Sequence, residues 1–366
     1  MDISRNLENS RGTLNAGSGL VLHAGGTLGN AGGKIGVGRD ASISAGQMDN
    51  TGGVLLADRH VKIDAAGILT NTRGEITSGG DTEIIAGETN LDGILAAGGD
   101  LHLTADGSLS NGSSGDGYGV TKAAGHVTID AAEGLTNAKK IEAGKTLSLS
   151  ASQLDNTASG ELSGADVIIR ADILTNEGLI SADGASDISA GALYNRENGR
   201  IYGEQITIDA GVLENRKNEV LETLLEEEMD ALRAIENELE AAFAEDVTAF
   251  TSASQKDNYF RRIQSLTEDY AAQLERVNAA QRDMGGHKAG AIAARDTLAI
   301  TGDTLLNRAG ALLYSGGAMT LSEKESLINR SADIRAQGDL AIDAAEIVNS
   351  NDEFSARRYW LDENGV

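Results

Sequence analysis

Apolar and polar positions along the chain repeat with a period of about twenty residues. Leu28, Asn30, Gly33, Ile35, Ile43 and Ala45 are followed by Met48, Asn50, Gly53, Leu55, Ile63 and Ala65. Each unit opens on an apolar residue, a spacer and an Asn; a Gly, an apolar residue and a short loop follow, then an alternating segment ending in Ala. Self-similarity at this period marks a solenoid, in which a coil buries its apolar face only by stacking on its neighbours. Segments 61–65, 101–105, 127–131 and 206–210 alternate apolar and polar residues, which predicts strands with one inner and one outer face. Helical spacings of three and four are absent from these units. The pattern predicts an all-β solenoid, a right-handed parallel β-helix with about three short strands per coil. Roughly fourteen coils stacked at about 4.8 Å would make a rod about 65 Å long.

Aligned on the Asn, the units open at Asn9, Asn30, Asn50, Asn71, Asn90, Asn111, Asn137, Asn156, Asn176, Asn195 and Asn215, and resume at Asn307, Asn329 and Asn349. An Asn at a coil corner tolerates left-handed backbone angles and bonds local backbone groups. Stacked Asn side chains also bond one another along the stack. A structural ladder is therefore expected through Asn30, Asn50, Asn71, Asn137, Asn156, Asn176, Asn195, Asn215, Asn307 and Asn329. The unit opened by Asn111 is lengthened by a Gly/Ser/Asp loop at 113–118.

The long gap between Asn215 and Asn307 has a different composition. After Asn215 the expected Gly and apolar residue arrive only at Gly290 and Ile292, so an insertion of about seventy residues sits in one coil, at a corner loop that tolerates length. Leu221, Leu225, Leu232, Ile235, Leu239, Phe243 and Phe250 follow helical spacing, as do Tyr259, Ile263, Leu266, Tyr270, Leu274 and Val277. Cap-forming residues at 251–257 break the run. Two antiparallel helices of about 45 Å each, packed as a coiled-coil hairpin and projecting sideways from the rod, are expected. The organisation read from the sequence is thus β-helix repeats at 1–215, a helical insertion at 216–289, repeats again at 290–350, and a C-terminal cap or start of another domain at 351–366. Aromatic residues are only 3% of the chain, so their gathering at Phe250, Tyr259 and Phe260 marks the hairpin tip as a candidate partner contact. The competing reading makes the hairpin a spacer whose acidic outer face is merely solvated.

Composition narrows the function classes. A net charge of −26 opposes nucleic acid and anionic membrane surfaces as partners. Without Cys there are no disulfides or thiolate metal sites, and no apolar run is long enough to span a membrane. Residues 1–11 lack the apolar core of a signal peptide, and Asn9 already lies inside a repeat, so the chain reads as a piece of something longer. The five His residues are scattered, and Gly144, Lys145 and Thr146 lack the upstream Gly of a phosphate loop. Asp64, Asp130 and Asp209 share a strand position but not neighbouring coils. No cofactor, metal or catalytic constellation is read from the sequence.

The recurring Leu-x-Asn-x-x-Gly-x-Ile pattern with its alternating strand resembles the haemagglutinin repeats of filamentous haemagglutinin-type exoproteins, over 7–215 and 290 to about 354. The resemblance implies a right-handed β-helix, export by two-partner secretion through an outer-membrane transporter, and a secreted or cell-surface filament presenting adhesive or toxic parts, as in adhesins and contact-dependent growth inhibition toxins. The expected function is a rigid stalk and adhesion or receptor-contact segment, meeting a cell-surface protein or glycan. The alternatives are a structural spacer and, less favoured, a polysaccharide-processing β-helix enzyme.

Overall fold

In a computed structural model of the chain, residues 1–112 and 119–351 are described. The loop expected at 113–118 and nearly all of the segment expected to cap or continue the chain lie outside them. The described residues divide into two compact units, one of Met1–Arg216 with the chain from Gly290, the other Lys217–Ala289.

The first unit is β-helical. A typical coil holds a four-residue strand, such as Lys34–Val37, and a longer one, such as Ala41–Asp49. The three short strands expected per coil are therefore two in most coils, because the second and third run on through a bend. A register shift between Ala45 and Met48 marks that bend, and comparable shifts recur in other coils. In the coil of Leu101–Ala105 and Ser108–Asn111 the two pieces remain separate.

Every coil pairs with the next in parallel, so equivalent residues stack: Leu22 on Ile43, Ile43 on Ile63, Ile63 on Ile84. Alternation sends Ile35 and Val37 inward from the short strand, and Ala41, Ile43, Ala45 and Met48 inward from the long one; all six are buried. Each buried Leu or Ile contributes roughly 1.5–3 kcal/mol of hydrophobic stabilisation. The Ala that ends most of the alternating runs is buried at the bend.

The Gly of the repeat has a steric cause. A Cβ on Gly53 would overlap the carbonyl oxygen of Asn30, one coil earlier, and Gly74 stands in the same relation to Asn50. The left-handed backbone expected at the Asn falls instead two residues later, at Arg11, Gly32, Gly52 and Arg73 with φ of 55°, 62°, 60° and 52°. Among the described residues no Asn has positive φ. The Asn is selected for its buried side chain, and the turn that follows takes the strained position.

The insertion leaves coil register intact. Arg200–Arg216 pairs with Ala291–Arg308 through Ile201 opposite Ile292, Ile208 opposite Ile300 and Leu213 opposite Leu305. The Gly290 N–H donates to the Arg216 carbonyl at 3.0 Å, so the chain returns to the corner it left.

The second unit holds two helices, α1 at Glu219–Phe243 and α2 at Ala253–Gly285, with a short 3-10 turn at Val247–Ala249 between them. Asn218 caps α1 by accepting from the Leu221 N–H at 3.1 Å. Ser252 and Gln255 form a capping box on α2. The break between helices thus lies earlier than the sequence reading placed it: Phe250 is in the turn, and 253–257 are already helical. Cross-helix partners run in opposite directions, Arg262 with Glu245, Tyr270 with Glu236 and Gln273 with Glu228, so the helices are antiparallel. Leu266 and Val277 are buried as the spacing predicts, but Ala242 is buried where Phe243 was expected, and Phe243 points outward. Gln273 is a buried polar residue that periodicity does not anticipate.

Candidate functional site

Two groups of residues emerge as sites, one inside the first unit and one at the turn of the second. The first is a column of buried Asn side chains. Asn9 Nδ2 donates to Asn30 Oδ1 at 2.7 Å, Asn30 to Asn50 at 2.7 Å and Asn50 to Asn71 at 2.7 Å. A second run begins at Asn111, which donates to Asn137 at 2.7 Å, and continues through Asn156, Asn176, Asn195 and Asn215 at 2.8 Å per step. Across the insertion Asn215 donates to Asn307 at 2.9 Å, and the column continues through Asn329 to Asn349 at 2.8 Å. Spare amide hydrogens reach backbone carbonyls of the next coil, as from Asn50 to Glu75 and from Asn156 to Leu179. Buried amides in a chain of this kind polarise one another and leave few polar atoms unsatisfied.

The column is interrupted once, and Asn90 is not part of it. Asn90 pairs with Thr70 and is exposed; Leu91, fully buried, takes the place in the column. The sequence carried the signal. In neighbouring units the residue two before the Asn is apolar, Leu28, Met48, Leu69 or Leu109, whereas before Asn90 it is Glu88. Leu91 offers no amide to Asn111, and the buried hydroxyl of Thr121 donates to Asn111 Oδ1 instead, at 2.8 Å. Thr121 occupies an inward position that is Ile35, Leu55, Ile141 or Leu162 in other coils. Two departures from the repeat therefore answer each other.

The second group is aromatic. Phe250 and Tyr259 lie 5.5 Å apart between ring centroids at 57°, and Tyr259 and Phe260 lie 5.4 Å apart in an edge-to-face arrangement. Phe260 is 64% exposed and Phe243 is 63% exposed; Val247 adds further exposed apolar surface in the same inter-helix turn region. Ion pairs of Arg262 with Glu245 and of Arg261 with Asp257 lie beside the rings. The Thr248 hydroxyl and backbone N–H bond the Asp246 carboxylate and hold it below the usual carboxylate range. The three aromatics singled out from the sequence are thus together, and Phe243, which helical spacing assigned to the core, is exposed.

Chemistry elsewhere is sparse. Among the described residues no group of three or more His, Asp or Glu is arranged to hold a metal ion. His60 accepts at Nδ1 from the Asp81 N–H at 3.0 Å, a backbone-bracing role shared by Asp81 and Asp100 one and two coils on. An open groove of about 460 Å³ crosses five coils at the bend, lined by Ala105, Ala131, Ala151 and Ala171 with Asp130 and Arg170. Arg170 is already paired with Asp187 at 2.8 Å.

Comparison with curated proteins and with solved structures yields no significant match. The haemagglutinin repeat family model matches at 3–83, 77–139, 123–216, 271–340 and 324–359, which together take in most of the chain and both sides of the helical insertion. With its stacked coils, its repeated Asn and Gly and these five matched regions, the chain belongs to the haemagglutinin repeat family of filamentous haemagglutinin-type proteins.

Proposed function

We propose that this chain is a rigid stalk and contact segment of a large secreted bacterial surface exoprotein, of adhesin or contact-dependent growth inhibition type, with no catalysis of its own. In this reading the β-helix is right-handed, the Asn column is its internal brace, and the two helices form a coiled-coil arm. The parent protein leaves the cell through an outer-membrane two-partner secretion transporter. The arm then meets a protein or glycan on another cell. Haemagglutinin repeats are characteristic of a structural, secreted adhesin family, which favours binding over chemistry. No described helix is long and apolar enough to cross a membrane, which suits an exposed arm.

One observation carries the contact role. A chain with very few aromatic residues places Phe243, Phe250, Tyr259 and Phe260 around one turn and leaves two of them mostly exposed. Exposed aromatics with a polar rim are typical of binding hot spots. The Phe250–Tyr259 contact also favours a second reading, a spacer in which the rings only close the turn. Binding of the purified chain to bacterial and epithelial cells separates the two. The contact reading expects binding that drops at least tenfold when Phe243 and Phe260 become Ser. Undiminished binding by that variant would move the contact elsewhere, and no binding by either protein would leave the spacer.

A further inference from the structure

The Ala that ends each alternating run stacks in a column: Ala24, Ala45, Ala65, Ala86, Ala105, and onward from Ala131 through Ala151, Ala171 and Ala190 to Ala210. In the strand Met319–Arg330 the same position is Glu323, paired with Gly302 below and Ala344 above. Glu323 is only 5% exposed, and its Oε1 has no hydrogen-bond partner. Gly302 lies beneath it, where a Cβ would overlap the Ala210 carbonyl oxygen and would also stand 3.2 Å from Glu323 Oε2. An acid has thus been placed inside the wall where most coils carry a methyl group.

We propose that Glu323 is a proton-operated latch: with its carboxyl protonated the coils formed by residues 319–350 close over it, and loss of that proton loosens them. The groups around it favour this. From Ala291–Arg308 comes Asp303, a second negative charge; its Oδ1 accepts from Lys324 Nζ at 2.8 Å, so the cation next in sequence to Glu323 is engaged there. Lys324 is largely exposed and also feels Asp209 from Arg200–Arg216 and its neighbour Glu325. On the strand above, Leu340–Ser350, the charged residues are Asp343 and Glu346, again acids. Burial first, and Asp303 second, push the Glu323 carboxyl up to about 7.

The sign follows from linkage. The closed state holds the proton more tightly than the opened one, where the carboxyl returns to its ordinary range. Closure is therefore strongest below about pH 4.5 and weakens as pH rises towards 7, above which the effect levels off. Hydrogen exchange of the intact chain, corrected for intrinsic rates, reads this directly. Between pH 5 and 8 the opening constant of residues 319–350 should rise by roughly a hundredfold, while that of Val61–Thr70 stays level. Glu323→Gln should abolish the rise, and Glu323→Ala, which restores the side chain of the column, should abolish it and keep the segment protected at pH 8. A wild-type segment indifferent to pH, or a rise that persists in Glu323→Ala, would overturn the latch.

Discussion

At the scale of single residues, the Asn column is a chain of paired obligations. Each buried amide is donor to one neighbour and acceptor from the other, so removing one strands two polar groups at a cost of about 1–3 kcal/mol apiece. Leu91 is a natural removal, and Thr121 supplies the missing donor to Asn111. The pairing is testable as a thermodynamic cycle. Thr121→Val alone should destabilise by about 1–3 kcal/mol, because Asn111 Oδ1 loses its hydroxyl donor in a buried setting. In a Leu91→Asn background the introduced amide can donate to Asn111, and the same change should cost close to nothing, as apolar residues fill that position in other coils. Denaturant midpoints of the four proteins measure the coupling; equal costs in both backgrounds would show that Thr121 does not stand in for an Asn. The column itself could be read from the recurrence of Asn, but not its gap. Spacing to Gly93 made Asn90 look regular, and only the charged Glu88 two residues before it shows that the Asn falls one place early, on the outward position beside Thr89.

At the scale of elements, strands and helices were legible for different reasons. A period-two pattern repeated some fourteen times leaves little freedom about which residues face inward, since a one-residue slip would reverse every side chain. Helix limits were less legible, because Phe250 continues the apolar spacing past the point where α1 ends at Phe243. What decides the turn is local hydrogen bonding: Asp246 accepts from Thr248, and Ser252 with Gln255 closes the box that starts α2. Ser252→Ala should therefore cost the helical unit about 1 kcal/mol, seen as a lower melting temperature for the helical circular dichroism signal. A variant that melts with wild type would mean the turn is held by its aromatic contacts alone. Gln273 was illegible for a related reason. Its amide donates to the Glu228 backbone and carboxylate while its oxygen accepts from Arg276 Nε at 2.9 Å, and no periodicity announces such a knot.

At the scale of the whole molecule, the question is what the insertion costs the solenoid. Solenoid stability is close to a sum of terms between neighbouring coils. The terms on either side of the insertion are intact: Asn195 bonds Asn215, Asn215 bonds Asn307, and the strands flanking the gap pair along their length. Closing a loop of about seventy residues rather than two costs little more in entropy per doubling, about 0.6 kcal/mol each. Ordinary corners show how to dispense with it. Asn50 is followed by Thr51, by Gly52 in the left-handed region, and then by Gly53. Removing Lys217–Ala289 and joining Arg216 to Gly290 through one Gly reproduces that order, with Arg216 in the place of Thr51. The shortened chain should lose its helical signal and keep the β signal, and its melting should not fall, since the entropy of closing the long loop is no longer opposed to folding. A shortened chain that fails to fold would mean that the helical unit is a structural part of the stack, and would count against a separable contact arm.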